Sequence, residues 1–408
     1  MNYMTSKEII NKFINFFLNV NYSLLSEKKI VRSKKEETYF NMSAIAANID
    51  LFNDLNNEQD INRNFVTKQQ VFFSNKLDGV GNTPLANPTE VSLSIFNKQN
   101  YSPSLTIKHI LEFLGEIGIQ KEKLLFRIAN NDVIKNAYLS EGITEKQIFI
   151  WDKMEVFNIG DNRPKGFYTY PYYKYKNGCV PLGSISFINH NGYWTSDVAI
   201  FQERLSLILN NLDKVVEIDA ISPLYAYLSE ELNFDDEYTM RITLFLRAIA
   251  FLVKDGLTDV SSSYQGHFLK KLMREIGALL GKMQFSNQQK TIIFKLLNNC
   301  LYYQGYNLEK NEQHIIRIID NINKYSQNIS LSIEQEVKKY RRGQQIDIPY
   351  LSQTLGIKPE WLIVDKNVEE QINVEAKKYI KVRNSIRNRA LSLDVSKKID
   401  LVELLSEK

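Results

Sequence analysis

The sequence predicts an α+β fold, with antiparallel strands and helices mixed in the first half of the chain and an all-α second half. Short runs of β-branched and aromatic residues, typical of strands, recur up to about residue 190. Beyond Asp219, apolar residues instead recur at the spacing of helices. We therefore expect a domain boundary near residue 215.

The first predicted element is an amphipathic helix within Met1–Val20, because apolar residues alternate there with Asn and Lys at helical spacing. The same alternation argues against a signal peptide. The next predicted elements are strands at Phe65–Thr67 and Val71–Phe73, suited to a strand pair, a turn at Gly79–Pro84, a helix at Leu105–Ile117, and strands at Leu124–Phe126, Tyr168–Tyr175 and Val180–Ile188. Helices are predicted in the second half at Met240–Lys254, His267–Gly281, Gln289–Tyr303, His314–Ile329 and Asn367–Ala390.

Composition places the chain among soluble globular proteins. Of its 408 residues, 24% are charged and 44% hydrophobic, and no run of eighteen apolar residues exists, so we expect no membrane partner. Two cysteines in so long a chain exclude a disulfide framework and favour a cytoplasmic location. The formal charge of +4 is too small to require a nucleic-acid partner.

Several common chemistries lack their sequence signals. The four histidines are scattered without the spacing of a metal site, so no metal is expected. Cys179 has no neighbour in sequence that suggests nucleophilic catalysis. The chain has no phosphate-binding loop of the G-x-x-x-x-G-K-[ST] type.

Ordered motif matches carry a family resemblance. Arg247–Gly256 reads R-A-I-A-F-L-V-K-D-G, similar to R-S-C-A-F-L-I-A-D-G, and Gln265–Leu272 and Leu351–Ile357 follow R-G-Y-V-L-R-R-I and L-Y-D-T-Y-G-F. Weaker matches precede them in the same order, at Tyr39–Ile45, Lys76–Thr83 and Phe157–Gly166. Together they resemble the catalytic core and helical domain of alanyl-tRNA synthetase, without its editing and C-terminal domains.

The resemblance implies a class II synthetase fold. Residues 1–215 would form the catalytic domain, an antiparallel sheet flanked by helices. Residues 216–408 would form the helical domain that recognises tRNA.

The resemblance also places the phosphate-binding arginines of the family on other residue types. The arginine of the second class motif corresponds to Phe73, a preceding arginine to Gln70, and the arginine of the third motif to Leu224. Only a guanidinium holds phosphate oxygens through two parallel hydrogen bonds. We therefore assign no cofactor to the chain. ATP and magnesium would be needed only if the chain is an active enzyme that binds phosphate through other contacts.

The amino-acid pocket implied by the resemblance keeps its chemical types. The family's methionine, Trp-Asn pair and aspartate correspond to Ile45, Phe201, Gln202 and Glu217. A carboxylate such as Glu217 is what a substrate ammonium group requires. The alternative is that Phe201 is core and that Gln202 and Glu217 lie on the surface.

The residues that read tRNA identity in the family are replaced by Ser261–Ser263 and Gln353. Base readout needs fixed donors and acceptors, so identity recognition should be lost. Phosphate contacts remain available from basic residues at Lys270, Lys271, Arg274, Arg341 and Arg342. The alternative is that these residues form a solvated helix face.

Three functions stay open from the sequence. The first is a paralogue that binds an amino acid or amine, or serves as an accessory or biosynthetic subunit with a protein partner. The second is an active, ATP-dependent aminoacyl-tRNA ligase. The third is a tRNA-binding module without catalysis.

Overall fold

The structure is a computed structural model that describes residues 3–32, 38–49, 64–81, 83–97, 102–151, 156–157, 166–190, 193–353, 357–364, 368 and 370–393. The chain packs as two compact units. The first is Met1–Thr258 with Leu296–Lys310, and the second is Asp259–Lys295 with Asn311–Lys408. Residues 158–165 and 354–356 of two motif segments lie outside the described residues.

In the described residues, the first unit contains one ten-stranded sheet. Its strands are β1 Ser23–Leu24, β2 Asn64–Phe72, β3 Thr89–Asn97, β4 Leu124–Ala129, β5 Ile148–Trp151, β6 Val156–Phe157, β7 Gly166–Tyr175, β8 Gly178–Pro181, β9 Gly183–His190 and β10 Tyr193–Phe201. Their order is β1-β2-β3-β10-β9-β7-β4-β5, with β6 and β8 also paired to β7. Only β1 with β2 and β4 with β5 are parallel among these pairs.

The predicted strand pair at residues 65–73 is wrong, because β2 is one continuous strand. Its middle residues, Lys68, Gln69 and Gln70, include none of the residues that favour a turn. The Gln69 side chain instead accepts the backbone N–H of Lys28 at 3.0 Å and donates to the Lys28 carbonyl at 2.8 Å. The polar Gln69 side chain in the middle of the strand therefore makes its hydrogen bonds with the backbone of Lys28.

The predicted strand at Val180–Ile188 is two strands. β8 ends at Pro181, which has no N–H to continue a ladder, and β9 begins at Gly183. A Cβ at Gly183 would lie 1.8 Å from the carbonyl oxygen of Ala199, so only glycine permits this close approach to β10.

Helices flank the sheet. The helices of the first unit are α1 Ser6–Asn19, α2 Ala44–Ala47, α3 Pro103–Glu116, α4 Asp132–Ser140, α5 Gln202–Leu209, α6 Ser222–Leu232 and α7 Asp236–Lys254. A capping box of Thr5 and Glu8 starts α1, and its Phe13 ring meets Phe113 of α3 edge-on at 5.0 Å. The amphipathic helix predicted at the start of the chain is therefore confirmed.

The second unit is helical in its described residues. It contains α8 Tyr264–Leu280, part of α9 Asn287–Tyr302, α10 Glu312–Arg341, α11 Ile348–Gln353, α12 Pro359–Val364 and α13 Glu370–Leu393. Gly277 lets α8 approach α10, since an added Cβ would lie 2.9 Å from the backbone nitrogen of Ser326. The predicted α+β fold with a helical second half is confirmed. No described helix is long and apolar enough to cross a membrane.

Arg247 of α7 is the largest side chain fully buried in the described residues. Its guanidinium donates to Glu203 at 2.6 Å, to the carbonyl of Thr89 at 2.8 Å, and to the side chain of Gln304 at 2.8 Å. These bonds join α7 to β3 and α5. Residues 216–258 pack within the first unit, although they lie beyond the domain boundary predicted near residue 215.

We predict that Arg247→Ala lowers the free energy of unfolding by about 3–5 kcal/mol, because it leaves the buried Glu203 carboxylate without its partner. Urea unfolding of wild type and variant measures the difference. The double variant Glu203→Gln/Arg247→Met should lose less, since it removes both charges.

Lys108→Ala is the matched control, because the Lys108–Glu112 pair is about half exposed on both sides. It should change the unfolding free energy by less than about 0.5 kcal/mol. Equal losses in Arg247→Ala and Lys108→Ala would contradict a structural role for the buried pair.

Candidate functional site

The residues predicted for an amino-acid pocket begin at the end of β10. The half-buried Phe201 ring meets Phe73 edge-on at 5.8 Å. The Arg204 guanidinium lies over the Phe201 ring at 4.3 Å and holds Glu90 through two hydrogen bonds of 2.7 and 2.8 Å. One face of Phe201 is therefore covered by a cation that has its own partner.

Gln202 follows as the first residue of α5 and is fully buried. Its carbonyl oxygen accepts a 2.6 Å hydrogen bond from Gln304, which also donates to Glu203 at 2.9 Å. The amide thus belongs to the network around Arg247, and the alternative that placed it on the surface is wrong. Its role in substrate binding stays a prediction.

Glu217 ends a 3-10 turn at Val215–Glu217 and is half-buried. Its carboxylate accepts the backbone N–H groups of Asp213 and Lys214, at 2.8 and 3.2 Å. Ile45 of α2 packs elsewhere, in a cluster with Ala44, Phe96 and Ile188. Of the four predicted residues, Phe201 and Gln202 lie together because they are neighbours in the chain. Ile45 packs in its own apolar cluster, and the Glu217 carboxylate accepts from the backbone of Asp213 and Lys214.

Buried side chains occupy the positions that the resemblance assigns to phosphate-binding arginines. Phe73 is 7% exposed and Leu224, in α6, is fully buried. Gln70 is also buried in β2, with 1% exposure. None of these side chains can present a cation to a nucleotide.

Three predicted nucleic-acid contacts line one cavity of about 370 Å³ in the second unit. Lys270, Lys271 and Arg274 lie on consecutive turns of α8, because residues three and four apart share a helix face. The cavity is lined by Ser262, His267, Lys270, Lys271, Arg274, Glu275, Lys358 and Trp361. Four cationic side chains thus face one carboxylate.

Lys358 and Trp361, which sequence reasoning missed, complete this basic cavity. Lys358 pairs with Glu275, and the indole N–H of Trp361 donates to Glu275 at 3.3 Å. The Arg274 guanidinium lies 5.8 Å from the centre of the Trp361 ring. The only local signal was the K-P-E-W run that starts α12, a basic residue beside an aromatic one.

Arg341 and Arg342 lie apart from the cavity lining. Arg341 ends α10 and Arg342 follows it, and both are exposed. The structure therefore groups three of the five predicted nucleic-acid residues.

Thiol and metal chemistry find no support in the described residues. Burial raises the pKa of the Cys300 thiol to about 12 and also raises the pKa of Cys179. Neither thiol is therefore activated at neutral pH. Among the described side chains, no group of three metal-ligating residues comes together.

Asp197 of β10 is a buried carboxylate that sequence reasoning also missed. It is 4% exposed, and burial raises its pKa to about 7. Its Oδ1 atom is buried, and no hydrogen-bond partner for it occurs in the structure as described. A single Asp in an apolar strand gives no signal of this kind from sequence alone.

Comparison with known proteins identifies relatives by sequence. The chain is similar in sequence to alanine–tRNA ligases. It is 25% identical over 307 residues to the enzyme of Francisella tularensis subsp. tularensis (strain WY96-3418), and 23% identical over 320 residues to that of Buchnera aphidicola subsp. Baizongia pistaciae. Each match covers 66% of this chain, and 35% and 36% of the respective ligases. The chain thus spans about a third of the length of the curated relatives it matches, and the resemblance derived from its motifs is confirmed.

Other comparisons add little. No protein-family model matches the chain. The RNA-binding domain of threonyl-tRNA synthetase from Cryptosporidium parvum Iowa II has a TM-score of 0.34 at 11% identity, covering 50% of this chain and 65% of that one. Asparaginyl-tRNA synthetase from Pyrococcus horikoshii, complexed with asparaginyl-adenylate, has a TM-score of 0.31 at 12% identity, covering 52% and 65%.

We predict that stability falls as pH rises through the titration of Asp197. Its pKa is about 7 in the folded chain and about 4 when unfolded, so between these values the folded state holds a proton that unfolding releases. The part of the folding free energy that depends on protonation of Asp197 is fully present below pH 4 and is lost by about pH 7. It amounts to at most about 4 kcal/mol.

Asp197→Asn should remove this dependence, because the amide does not ionise. Urea unfolding measures the free energy of unfolding of both proteins at pH 5 and pH 8. The value for the variant, relative to that of the wild type, should be higher at pH 8 than at pH 5. Parallel pH profiles would mean that Asp197 is already ionised in the folded state at pH 5.

Proposed function

We propose that this chain is a tRNA-binding relative of alanine–tRNA ligase that does not form an aminoacyl-adenylate by the arginine-dependent route of that family. The observation that carries the proposal is the basic cavity of the second unit, where Lys270, Lys271, Arg274 and Lys358 face a common space. Lysine and arginine side chains at this density suit phosphate oxygens. The proposed location is the cytoplasm, where tRNA is available.

The cavity supports binding of a backbone more than reading of a sequence. Lys270 donates to the Ser262 hydroxyl at 3.0 Å, so a serine that replaces a family base-reading residue instead holds a lysine in place. Trp361 is 5% exposed and forms part of the wall of the cavity, where it supports Arg274 and Glu275. Affinity carried by phosphate contacts falls steeply with salt and differs little between tRNAs.

The buried Phe73 and Leu224 support the absence of adenylate formation. A substitution that placed an arginine at Leu224 would bury a charge within an apolar core, which is strongly unfavourable. The same positions therefore argue against the active, ATP-dependent enzyme as the function of the chain. Binding without catalysis is compatible with an accessory or biosynthetic role beside a protein partner.

We predict that Lys270→Ala/Lys271→Ala weakens tRNA binding at least 10-fold at about 0.1 M salt, because it removes two charge-assisted contacts. Fluorescence anisotropy with labelled tRNA at several salt concentrations measures the effect. The slope of log affinity against log salt concentration should become shallower by nearly the amount that two phosphate contacts contribute. Alanine tRNA and an unrelated tRNA should bind within about threefold of each other.

Lys295→Ala/Lys324→Ala is the control, since both lysines are exposed in the second unit and neither lines the cavity. It removes the same charge and should weaken binding less than threefold. If both double variants lost the same tRNA affinity at unchanged melting temperatures, tRNA would be bound by general electrostatic attraction and not by the cavity. Absence of tRNA binding at low salt would refute the proposed function outright.

We predict that ATP with magnesium at 5 mM leaves the melting temperature unchanged. A ligand at 100 times its dissociation constant would stabilise the fold by about 2.7 kcal/mol, which a thermal scan detects. Pyrophosphate exchange across all twenty amino acids should likewise stay at background. A clear ATP-dependent shift would favour the active enzyme and other phosphate contacts.

A further inference from the structure

The basic cavity of the second unit holds more positive charge than contact with one internal phosphate of an RNA chain requires. Lys270, Lys271 and Arg274 share one face of α8 and line the cavity. Lys358, which lies just before α12, lines it as well. An internal phosphate of a nucleic acid carries a single negative charge. Four cations around one small space therefore indicate a ligand group of higher charge.

The carboxylate that lines the cavity offsets only one of these charges. Glu275 is 4% exposed, and its carboxylate pairs with Lys358 and accepts the indole N–H of Trp361 at 3.3 Å. Glu275 thereby neutralises Lys358 and leaves the three cations of α8 uncompensated by it. Counting the lysine, arginine and acidic side chains among the described lining residues, four cations less one carboxylate leave an excess of three positive charges.

Contacts within the unit hold these cations in place before a ligand arrives. Lys270, Lys271 and Arg274 are half-buried. Lys270 donates to the Ser262 hydroxyl at 3.0 Å, and the Arg274 guanidinium lies 5.8 Å from the centre of the Trp361 ring. Side chains that are already held lose less conformational freedom on binding, which raises affinity. Because the Ser262 oxygen accepts from Lys270, its own O–H can donate to a ligand oxygen.

The size of the cavity favours the end of an RNA chain over its middle. Its volume of about 370 Å³ lies near the lower end of the roughly 300–1,000 Å³ that is typical of small-ligand sites. An internal phosphate has a nucleoside on each side, so the chain would have to enter and leave this small space. A terminal phosphate has a nucleoside on one side and presents three oxygens to donors. The cavity therefore suits a terminal phosphate.

We propose that the basic cavity binds the 5′-terminal monophosphate of tRNA, with Lys270, Lys271 and Arg274 as its partners. At pH 7 a phosphate monoester carries about −1.5 to −2 charges, close to twice the charge of an internal phosphate. The guanidinium of Arg274 can hold two of its oxygens in parallel, and the lysines supply point charges. Such binding presupposes the proposed tRNA-binding function and specifies which phosphate of the tRNA enters the cavity.

Three forms of one tRNA, each labelled at the same internal position, test the proposal. The first has a 5′-phosphate and a 3′-hydroxyl, the second is dephosphorylated at its 5′ end, and the third has a 5′-hydroxyl and a 3′-phosphate. The first and third carry the same total charge, so only the position of the terminal phosphate differs. Fluorescence anisotropy at about 0.15 M salt should show the first form binding at least about 10-fold more tightly than the other two, because it alone gains charge-assisted hydrogen bonds in the cavity.

Arg274→Lys keeps the positive charge and removes the paired donors of the guanidinium. It should reduce the preference for the 5′-phosphate to less than about threefold at an unchanged melting temperature. Lys271→Ala gives an independent reading and should reduce the same preference at least about threefold. Lys295→Ala/Lys324→Ala lies outside the cavity, so it is the matched control and should keep the full preference.

Equal affinity for the three forms would overturn the proposal and leave the proposed tRNA-binding function intact. No binding of any form at low salt would refute that function and the proposal with it. If the 3′-phosphate form bound as tightly as the 5′-phosphate form, charge alone would be recognised, which also contradicts the proposal.

Adenosine 5′-monophosphate distinguishes the end of an RNA from a free nucleotide. It should bind at least about 10-fold more weakly than the 5′-phosphorylated tRNA, because the tRNA makes further phosphate contacts. Equal affinity would identify a free nucleotide as the ligand and overturn the proposal.

Discussion

The buried pair of Arg247 and Glu203 is the constraint on which much of the first unit depends. Both side chains are fully buried, so each charge is tolerable only while the other is held within hydrogen-bonding distance. The guanidinium also bonds Thr89 at the start of β3, and the Glu203 carboxylate accepts the backbone N–H of Val91 at 2.9 Å. Helix α7, strand β3 and helix α5 are therefore fixed by one charged centre.

This constraint explains why the clearest sequence match is architectural. Arg247 opens the R-A-I-A-F-L-V-K-D-G segment, and the apolar residues after it are buried along α7. The same centre reaches Gln202 through Gln304, so the amide that the resemblance assigns to substrate is oriented by the core. A chain can retain these residues for folding after its nucleotide contacts are gone, and their presence alone is no evidence of catalysis.

The sequence predicted the helices well because their signals are local. Apolar spacing placed the long helices α7, α8, α9, α10 and α13, and helical spacing also placed α1 and α3, whereas α6 and the six-residue helices α11 and α12 were not predicted. It failed where long-range pairing decides the outcome: β2 is continuous because its polar middle meets Lys28, and β9 is separate because of its close approach to β10.

For the sites, the grouping of Lys270, Lys271 and Arg274 followed from one helix. Trp361 reaches the same cavity from 86 residues beyond Glu275, so the K-P-E-W run alone could not reveal which basic residues it joins. Asp197 lacks a partner only because of what surrounds it in the sheet, and nothing in the sequence signals this.

Charged side chains are arranged differently in the two units, and this bears on where the proposed phosphate contacts lie. The cavity of the second unit concentrates four cations around one carboxylate and suits an anion. In the first unit, the guanidinium groups of Arg247 and Arg204 already pair with the buried carboxylates of Glu203 and Glu90. The positions that the resemblance assigns to phosphate-binding arginines carry the buried side chains of Phe73 and Leu224. Both observations support the proposal that phosphate contacts belong to the second unit, because a guanidinium held by a buried carboxylate cannot leave it for a ligand without exposing an unpaired buried charge.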